Sequence, residues 1–117
     1  MEINRIVPNL KIADPGVGHE FYEQVLGLEK SLDMGWIVTF TSPSNRNAQL
    51  SLITRDQTAP EDSVVSVGLP DVHDVYARAR RLGYQIVHPL TDEPWGVRRF
   101  FVRDPHGHVL NVVSHRD

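Results

Sequence analysis

Two stretches decide the fold: Asp14–Gly27, DPGVGHEFYEQVLG, and Asp71–Gly83, DVHDVYARARRLG. Each begins with aspartate, whose carboxylate can cap the free N–H groups of a helix's first turn, and each ends in glycine, which closes a helix at little steric cost. In the first, Pro15 stands where a helix needs no N–H, and Val17, Phe21 and Val25 recur every four residues as one apolar face. In the second, Val72, Val75, Tyr76, Ala79 and Leu82 form the stripe. The aspartates lie 57 residues apart and the glycines 56, so the two helix-bearing halves superimpose almost without a gap. The spacing predicts an internal duplication.

Outward from the first helix, Ile3 to Ala13 alternates, with Ile6, Leu10 and Ile12 on one face and Arg5, Val7, Asn9 and Lys11 on the other, the pattern of a half-buried strand. Strand-like stretches follow Gly27 near Leu28–Leu32, Gly35–Thr41 and Ala48–Thr54, separated by turn-formers. The second half repeats the order: Ser63–Leu69, the helix from Asp71, then Tyr84–Leu90, Val97–Arg103 and His108–Ser114, the last two joined by Asp104-Pro105-His106-Gly107. The expected fold class is α+β, two tandem β-α-β-β-β modules (module 1 about 1–56, module 2 about 62–117) in a single domain 1–117. The segment Asp56 to Asp62, with Thr58, Ala59 and Pro60, reads as their connector. A module covers one face of its sheet with its own helix, so two modules can join their free faces into a curved mixed sheet around a shared cleft.

The composition excludes several function classes. No run of apolar residues approaches the ~20 that span a bilayer. The N-terminus Met1-Glu2-Ile3-Asn4-Arg5 has neither the basic start nor the apolar stretch of a secretory signal, so a cytoplasmic location is expected. With no cysteine there is no disulfide, thiolate metal site or cysteine nucleophile. A net charge of -3 with interspersed signs supplies no field for nucleic acid.

Taken together, the strand ending at Asp14, the helix stretch Phe21-Tyr22-Glu23-Gln24-Val25-Leu26-Gly27-Leu28, and Pro94-Trp95-Gly96 followed by Asp104-Pro105-His106-Gly107-His108 resemble the vicinal oxygen chelate superfamily of glyoxalases, bleomycin-resistance proteins and dioxygenases. The resemblance spans nearly the whole chain and implies the duplicated fold and a homodimer. It does not choose a chemistry, because the superfamily holds metal-dependent lyases, isomerases and dioxygenases alongside metal-free proteins that sequester antibiotics. In the metal-dependent members, His and Glu/Asp ligands point into the cleft from the first and last strands of each module. Here those stations fall on Val7, on Gln49 or Ser51, on Val64, Val65 or Ser66, and on Asn111. First-row divalent metals want several imidazole or carboxylate donors converging on one point, so no metal and no other cofactor is expected.

The histidines offer no evident catalytic set: His106 and His108 flank a turn glycine, His19 and Glu23 share an exposed helix face, and His73 lies in a helix's first turn. Only His115, on the strand face of Asn111 and Val113, is placed to border the cleft. The cleft-facing set by alternation is Val7, Asn9, Gln49, Ser51, Val65, Val67, Val109, Asn111 and Val113. Trp36 and Phe40 share one parity of their strand, Arg99 and Phe101 share another, and Trp95 overhangs from a loop. Arg98 or Arg99 would suit an anionic ligand. The candidate ligand-binding residues are therefore Trp36, Phe40, Gln49, Ser51, Trp95, Arg99, Phe101 and Asn111, with catalytic residues unassigned. The leading expectation is a metal-free protein enclosing a small, apolar or aromatic molecule such as an antibiotic. The alternatives are a metal-dependent lyase, isomerase or dioxygenase with atypical ligands such as His115, Gln49 and Asn111, and a dimeric structural or regulatory module with a vestigial cleft.

Overall fold

The computed structural model describes residues 2–115. Strands β1 (Arg5–Lys11), β2 (Glu29–Asp33), β3 (Ile37–Thr41), β4 (Gln49–Ile53), β5 (Val65–Gly68), β6 (Ile86–Glu93), β7 (Val97–Arg103) and β8 (Val109–His115) form one open mixed sheet in the order β2-β3-β4-β1-β5-β8-β7-β6. Read inward from either edge, the order is second, third, fourth, then first strand of a half. The duplication is thus visible as two like-ordered half-sheets. β1 runs parallel to β4 and antiparallel to β5, with Arg5 opposite Gly68 and Val7 opposite Ser66 at the seam.

Helix α1 (Val72–Arg81) forms as its pattern predicts. The Asp71 side chain accepts a hydrogen bond from the Asp74 amide, and Arg78, Arg80 and Arg81 occupy the last turn, where the helix dipole favours cations. Val75, Tyr76 and Ala79 pack against Leu69, Val72, Phe100 and Val112 to make the core of the second half.

The first half departs from expectation. Asp14 starts a turn rather than a helix, its carboxylate accepting from the Gly16 amide at 2.9 Å. Gly18 takes φ of 91°, a left-handed conformation through which a helix cannot run. The helical segment is therefore short, with Phe21–Val25 wound as a π-helix. Starting later and wound wider, it turns Tyr22 rather than Phe21 toward the sheet. Tyr22 stacks on Phe40 at 5.3 Å and His19 meets the same ring edge-on at 5.6 Å, so His19 is not the exposed partner of Glu23 that its spacing implied. The expected core stripe Val17, Phe21 and Val25 is exposed, at 64%, 54% and 66%.

β1 keeps the expected parity, with Val7 on the cleft face, but the face of Ile6 and Leu10 is not covered as expected. Val7 is buried, whereas Ile6 and Leu10 are 57% and 42% exposed. The short helix lies over β2 and α1 lies over β6, β7 and β8, leaving the outer face of the central β1 without a helical cover. On β5 the inward residue is Ser66, while Val67 packs with the α1 core, reversing the parity expected for Val65 and Val67. No helix among the described residues is long and apolar enough to cross a membrane.

Candidate functional site: a neutral cleft floor above a buried ion cluster

The inner face of the sheet holds a cleft of about 340 Å³, within the range of small-molecule sites. Its floor is a row of neutral polar side chains contributed by neighbouring strands. Thr39 and Ser51 hydrogen-bond at 2.7 Å, and Ser66 accepts from the side-chain amides of Asn9 at 3.1 Å and Asn111 at 3.0 Å. The Oδ1 atoms of Asn9 and Asn111 are buried without a protein hydrogen-bond partner. A buried amide oxygen left in this way is an acceptor held ready for a donor. Gln49 lines the same cleft with its amide nitrogen tied to the Arg46 carbonyl at 2.7 Å, and Val7, Val97 and Val113 add apolar wall.

Trp36 and Trp95 come from opposite halves and meet edge-to-face, ring centres 5.4 Å apart, at the cleft wall. Trp36 lies in the bend before β3 and so escapes the pleat that turns Phe40 the other way. Phe40 is therefore removed from the candidate ligand contacts: it is fully buried with Val38 and Leu52 on the helix side. Phe101 shares the inner face with Arg99 but is likewise fully buried, under the Arg99 guanidinium at 4.7 Å and against His88 at 5.5 Å, and does not line the cleft.

Arg99 lines the cleft yet has little binding capacity to spare. Its guanidinium donates to both Asp56 carboxylate oxygens at 2.9 and 2.8 Å, to Glu93 Oε2 at 2.6 Å and to the Thr58 hydroxyl at 2.8 Å. Thr58 and His88 also reach Glu93 Oε2, at 2.6 and 3.2 Å. Burial pushes the Asp56 carboxyl up, but the Arg99 hydrogen bonds and the Ala59 and Thr58 amides outweigh it and hold the group below the usual carboxylate range. Glu93 follows the same balance: burial raises it, and Thr58, Arg99 and His88 bring it below its ordinary value. The connector is thus a latch that carries the counter-charge of a buried arginine. Sequence reading missed Asp56, Thr58, His88 and Glu93. A parity change in β6, where the pairing with β7 shifts between His88 and Thr91, brings both His88 and Glu93 to this face.

The remaining histidines sit as follows. His108 bonds Asp104 within its turn at 3.0 Å, and His73 meets Arg98, which also pairs with Asp92. At one end of the cleft His115 Nε2 accepts from Arg5 Nη1 at 2.6 Å. Arginine always donates, so this nitrogen is the unprotonated one. Val7, Gln49, Ser51, Ser66 and Asn111 do converge on the cleft, as the alignment of stations implied, but they offer valine, amides and hydroxyls. Among the described residues no three His, Cys, Asp or Glu side chains cluster as metal ligands. His115 stands four residues along β8 from Asn111, roughly 13 Å at strand rise, and its nitrogen faces a cation. The donor set does not fit a divalent metal.

The family model described as "Glyoxalase/Bleomycin resistance protein/Dioxygenase superfamily" matches residues 4–112. A superfamily member from Vibrio splendidus 12B01 is 21% identical, with TM-score 0.70 over 94% of this chain and 97% of that one. Methylmalonyl-CoA epimerase from Mycobacterium tuberculosis is 17% identical, with TM-score 0.75 over 98% of this chain and 90% of that one. The Streptomyces coelicolor epimerase is 18% identical, with TM-score 0.74 over 99% and 100%. At these identities the structures share the fold. No curated protein matches the chain in sequence.

Proposed function

The chain belongs to the glyoxalase/bleomycin resistance protein/dioxygenase superfamily, and from that premise we propose that it is a metal-free small-molecule-binding protein that encloses an apolar or aromatic ligand. The observation that carries this reading is the floor of the cleft. Where the superfamily's metal enzymes would need imidazole and carboxylate donors, this chain places Gln49, Ser51, Ser66 and Asn111, already partly engaged with one another and with the backbone. Neutral amides and hydroxyls orient a ligand without holding a cation. Trp36 and Trp95 supply flat apolar surface, and Asn111 supplies an acceptor for a ligand O–H or N–H. Binding alone suffices for a protective role, because sequestering an antibiotic or another metabolite lowers its free concentration.

The test has two arms. Protein purified without chelator or metal resin, then incubated with zinc, nickel, manganese and iron(II), is expected to retain far less than one metal per chain. Stoichiometric metal would overturn the metal-free reading. Titration with a panel of aromatic antibiotics and metabolites, followed by tryptophan fluorescence, is expected to give a saturable change with at least one compound. Lack of any saturable response would remove the ligand reading.

We further propose a homodimer built on the exposed apolar residues Ile6 and Leu10 of β1 and Phe21 and Val25 of the short helix. Exposed apolar surface on the outer side of a sheet is a recurrent mark of an interface, and a second copy of the chain is the simplest self-complementary cover.

A further inference from the structure

Two arginines line the cleft, and they differ in one respect. Arg99 faces two carboxylates that neutralise it. Among the described residues Arg5 faces none: its guanidinium has one hydrogen-bond partner there, the accepting Nε2 atom of His115. Of the five N–H donors a guanidinium carries, one is used there. The group is half-buried, and that burial pulls its pKa below the usual arginine value without displacing its charge. A partly desolvated cation with open donors and no counter-ion is unfavourable in isolation, and an anion at the same place relieves it.

The seam is shaped to hold Arg5 there. Arg5 pairs opposite Gly68, and its side chain lies flat across that glycine. A Cβ at position 68 would stand 2.6 Å from Arg5 Cγ and 2.8 Å from Nε, closer than real contacts allow. Gly68 sits outside the left-handed region, so its backbone does not require glycine; the passage of the Arg5 side chain does. Beyond Gly68 a second hollow of about 170 Å³ shares Arg5, Val113 and His115 with the main cleft, leaving open volume on both sides of the guanidinium.

We propose that Arg5 is the anion-recognising group of the cleft and that the ligand is a small carboxylate with an apolar or aromatic body. The planar fork of Arg5 receives the carboxylate, the valine and tryptophan walls receive the body, and Gly68 is a positioning residue that keeps the fork in the cleft. This rests on the ligand-binding reading above and deepens it by naming the ligand's charge.

The experiment compares 4-tert-butylbenzoate with 4-tert-butylbenzamide, alike in shape and different in charge, by tryptophan fluorescence at low salt. Wild-type protein is expected to prefer the carboxylate at least tenfold. In Arg5→Gln and in Gly68→Ala, which keeps the arginine but blocks its path, the preference is expected to fall within twofold. Circular dichroism checks folding, and Gly68→Ala decides the matter if Arg5→Gln does not fold. Equal affinity for the two compounds in wild type, or a preference that survives in the folded variants, overturns the role of Arg5 while leaving the cleft a binding site. Binding of neither compound by wild type overturns this proposal through its premise, and the wider ligand panel then judges the premise itself.

Discussion

Arg99 of β7 and Asp56 of the connector form two parallel hydrogen bonds of 2.9 and 2.8 Å while both side chains are almost wholly buried, at 4% and 2% exposure. The pair ties the segment between the two halves to the inner face of the second half-sheet. Removing one member of a buried pair leaves the other charge stranded, which costs about 3–5 kcal/mol. Arg99→Met, which strands both Asp56 and Glu93, is therefore expected to lose stability of that order. Urea denaturation followed by circular dichroism measures it, and a loss under about 1 kcal/mol would show that the ion cluster contributes little.

The same cluster sets the response to acid. Asp56 and Glu93 are held below their ordinary values in the folded protein. A carboxyl with a depressed folded pKa stabilises the fold fully above its unfolded value, about 4, and loses that contribution as pH falls through the folded value. Thermal stability is expected to fall below about pH 4, and Asp56→Asn to flatten that fall. Identical acid profiles for the two proteins would place the sensitive groups elsewhere.

Trp36 and Trp95 join the two halves at the cleft wall, and both line the cleft. Trp36→Ala is expected to weaken binding of any aromatic ligand found in the fluorescence panel by roughly tenfold, about 1.4 kcal/mol, the scale of one aromatic contact. Calorimetry reads this without relying on the removed fluorophore. Unchanged affinity would mean that the pair is a hydrophobic seal rather than a ligand contact.

Phe21 is 54% exposed on the short helix, where its spacing promised burial. Phe21→Glu is expected to convert a dimer into a monomer in size-exclusion chromatography with light scattering, with little change in the circular dichroism spectrum. A wild-type monomer, or a dimer that tolerates this change together with Leu10→Lys, would assign the exposed residues no such role.

The differences between sequence reading and structure have physical causes. Capping Asp71, closing Gly83 and the stripe of α1 are local signals with local causes, and they were legible because the helix obeys them. Asp14 carries the same signal, but Gly16 and Gly18 follow it, and the left-handed Gly18 diverts the chain before a helix can start. Phe40 and Trp36 share a parity, yet Trp36 lies just outside β3, where parity no longer binds. Alternation on β1 separated its two faces correctly but did not tell which was covered, because that depends on where helices elsewhere come to rest. The cleft residues Gln49, Ser51 and Asn111 were within reach because each lies at a strand position fixed by the repeat, and Trp95 because it stands in the short turn between two strands of the second half. Arg5 was not, since its meaning depends on the opposition of Gly68, a register between strands from different halves. Arg99 was recognised as a guanidinium facing inward, but its neutralisation by Asp56 and Glu93 comes from a connector and a strand irregularity that no period announces.

The seam at β1 has a consequence for how the chain is made. The strand β1 is synthesised before both of its partners, so one edge waits for Ser51 and its neighbours on β4 and the other for Val65 to Gly68 on β5. Both pairings join residues far apart in the chain, which is the slow kind of contact to form. Until the second half is synthesised, one edge of β1 has no partner from its own chain and is open to the same strand of another nascent copy. A protein built this way gains a continuous surface across its two halves and, in exchange, depends on β1 being protected from premature pairing.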